Sequence, residues 1–155
     1  MGRAEVRTSI LAAVPTITLA SPPDAAADAV VTAGLRAHLS PTWGHPGRID
    51  VSAYLKNDAG QVVGGLLGYL AWGWLYIDRF WVDAAYRGRG HGAELLAAAE
   101  VFALERGCRD AHLDTFGDNA LPFYARHGYE VWGTLEGLPP GGRKHHLRKR
   151  LGTGD

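Results

Sequence analysis

One cysteine, Cys108, is all the thiol chemistry this chain offers, so no disulfide framework can staple it. A lone free thiol suits a reducing compartment, and a cytoplasmic location is expected. Net charge is missing as well, since sixteen lysines and arginines balance sixteen aspartates and glutamates. No global field therefore draws the molecule to nucleic acid or to a membrane surface, and neither is expected as a partner. No apolar run reaches the roughly 18 to 20 residues that a membrane-spanning helix requires. The stretch from Ile10 to Ala20 has the look of a short signal segment. Yet Pro15 interrupts it, Glu5 lies in its charged start, and Pro22-Pro23-Asp24 follows. Residues 1–14 are read instead as a flexible extension leading into a first strand. A serine hydrolase would need a Gly-x-Ser-x-Gly elbow, which is lacking. Adjacent His145 and His146 on a strand point to opposite faces, and no metal is expected.

What the chain does have is glycine: 21 of its 155 residues, gathered at turns and in one dense segment. The length suits one domain with a core of its own, assigned to residues 15–155. The dense segment is Tyr86-Arg87-Gly88-Arg89-Gly90-His91-Gly92-Ala93-Glu94-Leu95-Leu96, set between a strand-like run, Trp74 to Val82, and a helical one, Glu94 to Arg106. Glycines let a ligand approach the backbone closely. The free N–H groups of a first helical turn favour an anion, so this is a phosphate site. Arg87 and Arg89 can add charge-assisted bonds. The segment is not a P-loop, because no Gly-Lys-Ser/Thr follows. A dinucleotide fingerprint started at Gly88 puts Ala93 where its last glycine belongs, and Asp110 and Asp114 are weak fits to its acidic residue.

Periodicity and breakers lay out the rest. Thr16 to Ala20 is a plausible strand, and Pro22-Pro23-Asp24 opens an alanine-rich helix with Ala26, Val30, Ala33 and Ala37 on one face. Residues Pro41 to Gly47 form a loop. Strands follow at Arg48 to Lys56, Gln61 to Ala71 and Trp74 to Val82, a meander turned by Asn57-Asp58-Ala59-Gly60 and Gly73. A helix from Gly90 to Arg106 buries Leu95, Leu96, Ala99, Phe102 and Ala103. Then come a strand at Ala111 to Phe116, a helix at Ala120 to His127, and closing strands at Tyr129 to Leu135 and Lys144 to Arg150. This order, βαβββαβαββ, predicts an α/β fold in three layers around a mixed sheet of about seven strands.

Arg87, Gly90 and Gly92 fit Arg-x-x-Gly-x-Gly, which resembles the acyl-CoA pyrophosphate loop of the GNAT N-acetyltransferase superfamily. The order of elements is that of the superfamily, over about residues 15–151. Pro122-Phe123-Tyr124-Ala125-Arg126-His127-Gly128-Tyr129-Glu130 resembles its Phe-Tyr-x-Lys/Arg-x-Gly-Phe/Tyr segment, and the chain's end resembles small bacterial members.

The resemblance implies a β-bulge in the fourth strand, Trp74 to Val82, that splays it from the strand after the helix. The pantetheine arm of acetyl-CoA would pair there with the backbone of Phe80, Trp81 and Val82. The pyrophosphate would sit on Gly88, Arg89, Gly90, His91 and Gly92, with Arg87 beside it and Arg126 near the adenosine. Tyr124 matches the tyrosine that protonates the departing thiolate, a role set against that of an ordinary core aromatic. Asp78 stands where relatives place a base. It is also readable as a strand carboxylate paired with Arg79 or Lys56. His45, His112 and His145 are alternatives by ordinary pKa alone. Gly117 replaces the asparagine that many members use to bind pantetheine, and Asn119, offset by two, either takes that part or helps cap the next helix. An aromatic acceptor pocket is expected from Trp43, His45, Trp72, Trp74, Tyr76 and Phe116. The expected activity is acetyl transfer from acetyl-CoA to a small-molecule amine. Acetylation of a protein amine and a non-catalytic acyl-CoA sensor stay open, as does a homodimer.

Overall fold

The computed structural model describes residues 13–152, so the expected extension at residues 1–14 lies almost wholly outside the described part. The chain divides after Gly44 into two units.

In the first unit, residues 13–20 form no strand. The strand expected at Thr16 to Ala20 is therefore absent, because alternation alone does not hold a strand without a paired neighbour. Helix α1 spans Ala25–Trp43. The Asp24 carboxylate starts it by accepting the N–H groups of Ala26 and Ala27 at 2.9 and 3.2 Å. The helix runs past the expected break at Pro41 and ends at Gly44, whose φ of 70° and N–H bond to the Ser40 carbonyl close the last turn.

The second unit is one six-stranded sheet, β1 (Ile49–Lys56), β2 (Val62–Ala71), β3 (Trp74–Val82), β4 (Asp110–Phe116), β5 (Glu130–Glu136) and β6 (Arg143–Arg150). Its strand order is β1-β2-β3-β4-β6-β5, antiparallel throughout except for the parallel pair β3 and β4. Between them lies α2 (His91–Glu105), and α3 (Leu121–Arg126) joins β4 to β5. The fold is the expected mixed α/β type, with six strands where about seven were expected.

Alternation decides which face is covered. Leu66, Leu70, Leu75, Ile77, Ala111, Leu113 and Leu147 are buried in one core with Leu96, Ala99 and Ala103 of α2. Each fully buried leucine contributes about 1.5 to 3 kcal/mol by leaving water. Phe102, expected among the buried residues, is only partly covered against that core. Residues at the alternate positions, Tyr69, Tyr76 and His112, fall on the other face.

Candidate active site

The sheet comes apart at one point. The parallel ladder between β3 and β4 runs from Trp74/Asp110 to Ile77/Leu113 and stops. At the next residue β3 bulges: Ile77 pairs with Gly68 and Arg79 with Leu67, which leaves Asp78 unpaired. Gly68 is required opposite the bulge, since a Cβ there would collide with the Tyr76 carbonyl oxygen. The expected bulge thus exists, in what is the third strand because the first is missing. Beyond it the β3 edge from Phe80 to Val82 has no partner on the β4 side.

A cavity of about 580 Å³ lies at this fork. Phe80, Trp81 and Val82 form one wall, and Asn119, Tyr124 and Arg126 stand on the α3 side. Its floor is the glycine segment, with Arg87, Gly88, Gly90, His91 and Gly92. Gly88 and Gly90 hold φ of 72° and 87°, open to glycine at little cost. The N-terminus of α2 has no side-chain cap, and the first bond from this turn is Glu94 N–H to the Gly90 carbonyl. The amides ahead of it are left for a ligand, and an anion fits them. Gly92 also lets Phe123 pack close, 3.4 Å from where a Cβ would be.

The arginines differ in use. Arg87 lines the cavity and its Nε donates to the Val82 carbonyl at 2.8 Å, which ties the loop to the end of β3. Arg89 is not among the lining residues; its guanidinium lies 5.9 Å from the centre of the Tyr86 ring. His91 has a buried Nδ1 without a hydrogen bond, 3.5 Å from the Glu94 carboxylate.

Tyr124 sits at the inner end, 7% exposed, against the rings of Phe80, Phe123 and Tyr129. Burial pushes its phenol up to about 12, so it is protonated at neutral pH. Sequence reasoning missed Tyr86, Ala120, Phe123 and His127 as cavity residues. Phe123 is adjacent to Tyr124 in the motif, but only the fold turns both rings towards the fork.

Asp78 is half exposed, and its carboxylate lies 3.4 Å from Arg79 Nε, the pairing foreseen as its structural alternative. It is absent from the cavity lining. Across the fork, Asp114 accepts from the Tyr76 hydroxyl at 3.4 Å and lies 3.4 Å from Lys144 Nζ. Burial first, then the charges of Asp114 and Asp78, raise the Tyr76 phenol, so both carboxylates act on that one ring. Asp114 was weighed only as part of a nucleotide fingerprint, because the strand β6 that brings Lys144 to it is remote in sequence.

Of the expected acceptor residues, Trp72, Trp74 and Tyr76 come together, meeting Tyr69, Ala71 and His112 around a second hollow, and the other three lie elsewhere. His45 is exposed and lines neither cavity, and Phe116 is exposed with Lys144 over its ring. Trp43 ends α1 in the other unit, and its side chain is exposed. His145 is buried with Nε2 2.7 Å from Asp118 and Nδ1 2.9 Å from the Thr134 hydroxyl. Both of its nitrogens are engaged.

Among the described residues no helix is long and apolar enough to cross a membrane, and no three His, Cys, Asp or Glu side chains are grouped to hold a metal.

Comparison with known proteins places this geometry. The chain is 38% identical over 128 residues to an acetyltransferase of Agrobacterium fabrum, covering 83% of this chain and 93% of the relative. It is 40% identical over 101 residues to the blasticidin-S acetyltransferase of Streptomyces morookaense, covering 64% and 74%. The crystal structure of an acetyltransferase from Bacillus cereus superposes with a TM-score of 0.78 at 31% identity, covering 88% and 97%. Residues 29–129, which hold the forked strands, the glycine loop and Tyr124, match the model of the acetyltransferase (GNAT) family, and to that family of acyltransferase enzymes the chain belongs.

Proposed function

We propose that the enzyme moves an acetyl group from acetyl-CoA to the primary amine of a small molecule, by direct attack with both substrates bound. The observation that carries this reading is the fork: the parallel ladder ends at Ile77/Leu113, Asp78 bulges, and a cavity floored by the glycine loop begins there. The unpaired β3 edge suits an extended amide-bearing arm, and the uncapped turn of α2 suits its pyrophosphate.

Acetyl-CoA supplies a thioester carbonyl whose sulfur is a good leaving group. The chain's residues then do three things. A backbone N–H of the bulged strand donates to the oxygen as it gains charge. The Tyr124 phenol, protonated at neutral pH, gives its proton to the departing sulfur as the C–S bond breaks. Asp78, at the bulge, takes the amine proton through a water, since its short side chain stands outside the cavity lining. The blasticidin-S relative supports a small-molecule acceptor. Asn119 and Arg126, at the cavity rim, would hold the pantetheine and adenosine parts.

Calorimetric titration with acetyl-CoA and free CoA, with NADH as control, tests the cofactor. Thiol release over a panel of small amines tests turnover. Both CoA forms are expected to bind and NADH not. Gly90→Val is expected to abolish binding, because valine cannot hold a φ of 87° without strain and its branch covers the loop amides. Unaltered CoA affinity in that variant, with circular dichroism preserved, would refute the loop assignment.

A further inference from the structure

The second hollow, about 300 Å³, is lined by Tyr69, Ala71, Trp72, Trp74, Tyr76 and His112 and shares no residue with the fork cavity. It lies on the face of the sheet away from α2, since Tyr69, Trp74, Tyr76 and His112 alternate with the buried Leu70, Leu75, Ala111 and Leu113. One backbone feature sets it apart. Ala71 pairs with Trp74, so Trp72 and Gly73 alone make the turn between β2 and β3. Both have positive φ, 48° and 78°. A two-residue hairpin turn of this kind favours Asn-Gly, and a bulky side chain at its first position is strained. Trp72 is also the only non-glycine residue with positive φ among the described residues. Its indole is 54% exposed, so no core packing repays the strain. Strain of this sort collects where a ligand is held.

The neighbouring rings, inclined to one another, line an aromatic hollow, and the Arg48 guanidinium covers the Tyr69 ring at 3.8 Å. Tyr69 and Tyr76 lie 5.2 Å apart, Tyr76 and His112 4.8 Å, and Trp74 meets His112 edge-on at 5.7 Å. Burial lowers the His112 pKa, which keeps the imidazole neutral and able to stack or to share one hydrogen bond. The hollow lies near the fork: Tyr76, in its wall, bonds Asp114 one residue past the last rung. From Asp78 back to Tyr76 and Trp74 is two to four residues, about 7 to 13 Å along a strand. The carboxylates of Asp78 and Asp114, with Arg79 and Lys144 each 3.4 Å away, are the acidic groups an amine at the fork would face.

We propose that this hollow is the acceptor subsite for a planar ring, and that the acceptor is a primary amine joined by a flexible arm to an aromatic or heteroaromatic ring. The inference rests on the acetyltransfer reading above and names its substrate class. Trp72 is the specificity residue.

The test compares phenylbutylamine with butylamine. Wild-type kcat/KM should favour the ring-bearing amine by about tenfold, the worth of one good aromatic contact. Trp72→Asn, which suits the turn, should raise Tm by about 4 °C. The same variant should bring the ratio near one and leave the KM for acetyl-CoA unchanged. Trp74→Leu, at a regular strand position, should lower the ratio too. A stabilised Trp72→Asn enzyme with the wild-type ratio would overturn the proposal. Should neither amine be acetylated and neither CoA form bind, the acetyltransfer reading falls while the hollow can still be judged. Saturable quenching of tryptophan fluorescence by phenylbutylamine, lost in Trp72→Asn, would keep the subsite; no quenching would remove it.

Discussion

At the scale of single residues, burial sets the protonation of Tyr124. A phenol already has an ordinary pKa near 10, and burial among Phe80, Phe123 and Tyr129 carries it to about 12. It therefore holds its proton at neutral pH. In the proposed reaction it would pass that proton to the sulfur only in concert with C–S cleavage, since a free thiolate is the weaker base. Tyr124→Phe keeps the ring and removes only the hydroxyl that carries that proton. The expected outcome is a fall in kcat of about 10² to 10⁴ with acetyl-CoA affinity within about twofold. Steady-state kinetics read this directly, and an unchanged kcat would return Tyr124 to the core. The motif around Phe123-Tyr124 made the residue legible in the sequence. Its burial was not legible, since Phe80 comes from a strand more than forty positions away.

At the scale of elements, the turn between β4 and α3 depends on the β5–β6 hairpin. Gly117 N–H donates to the Arg143 carbonyl at 2.8 Å, and His145 holds Asp118 at 2.7 Å while touching Thr134 at 2.9 Å. Asn119 and Ala120, next along, form part of the cavity wall. His145 thus ties this stretch of cavity wall to the hairpin, which makes it a positioning residue if acetyl-CoA binds there as proposed. His145→Phe takes the imidazole from the Asp118 carboxylate, which is mostly exposed and keeps Arg143 at 3.5 Å, so the loss is about 0.5 to 1.5 kcal/mol. The KM for acetyl-CoA is expected to rise about fivefold to tenfold, with kcat at saturating cofactor within about twofold, and His145→Gln should recover part of the loss. A lowered kcat at unchanged KM would show that His145 acts on the chemistry instead. The sequence offered His145 only as one of several histidines with a suitable ordinary pKa, because a strand pattern does not say which loop it meets.

At the scale of the whole molecule, the buried phenols set the alkaline limit of stability. Tyr124 is raised to about 12 and Tyr129 is raised further, by burial and then by the charge of Glu100, whose carboxylate accepts its hydroxyl at 3.0 Å. Each group keeps its proton in the folded chain and releases it near pH 10 once unfolded. Their contribution to stability is therefore intact below about pH 10 and declines as pH rises through the folded values. Urea midpoints are expected to fall steadily between about pH 10 and 12. Tyr124→Phe should remove at most about 2.7 kcal/mol of that decline, two pKa units at about 1.36 kcal/mol each. A midpoint curve identical to wild type over that range would place the Tyr124 phenol in water.

By itself the sequence determined the local structure and the phosphate loop. Turn residues and periodicity marked β1 to β6, α2 and α3 to within about two residues, and Arg87, Gly90 and Gly92 pointed to an anion at a helix N-terminus before any contact was known. These features depend on neighbours in the chain. The strand expected at Thr16 to Ala20 failed because a strand exists only through a partner, and periodicity cannot supply one. Only tertiary structure decided where the sheet forks, that Asp78 is the unpaired residue, that Gly68 makes room for the bulge, and that Asp114 and Lys144 face each other. It added Tyr69 and His112 to Trp72, Trp74 and Tyr76 around one hollow. Strand register and the facing of side chains follow from pairing between distant segments, which no short window of sequence contains.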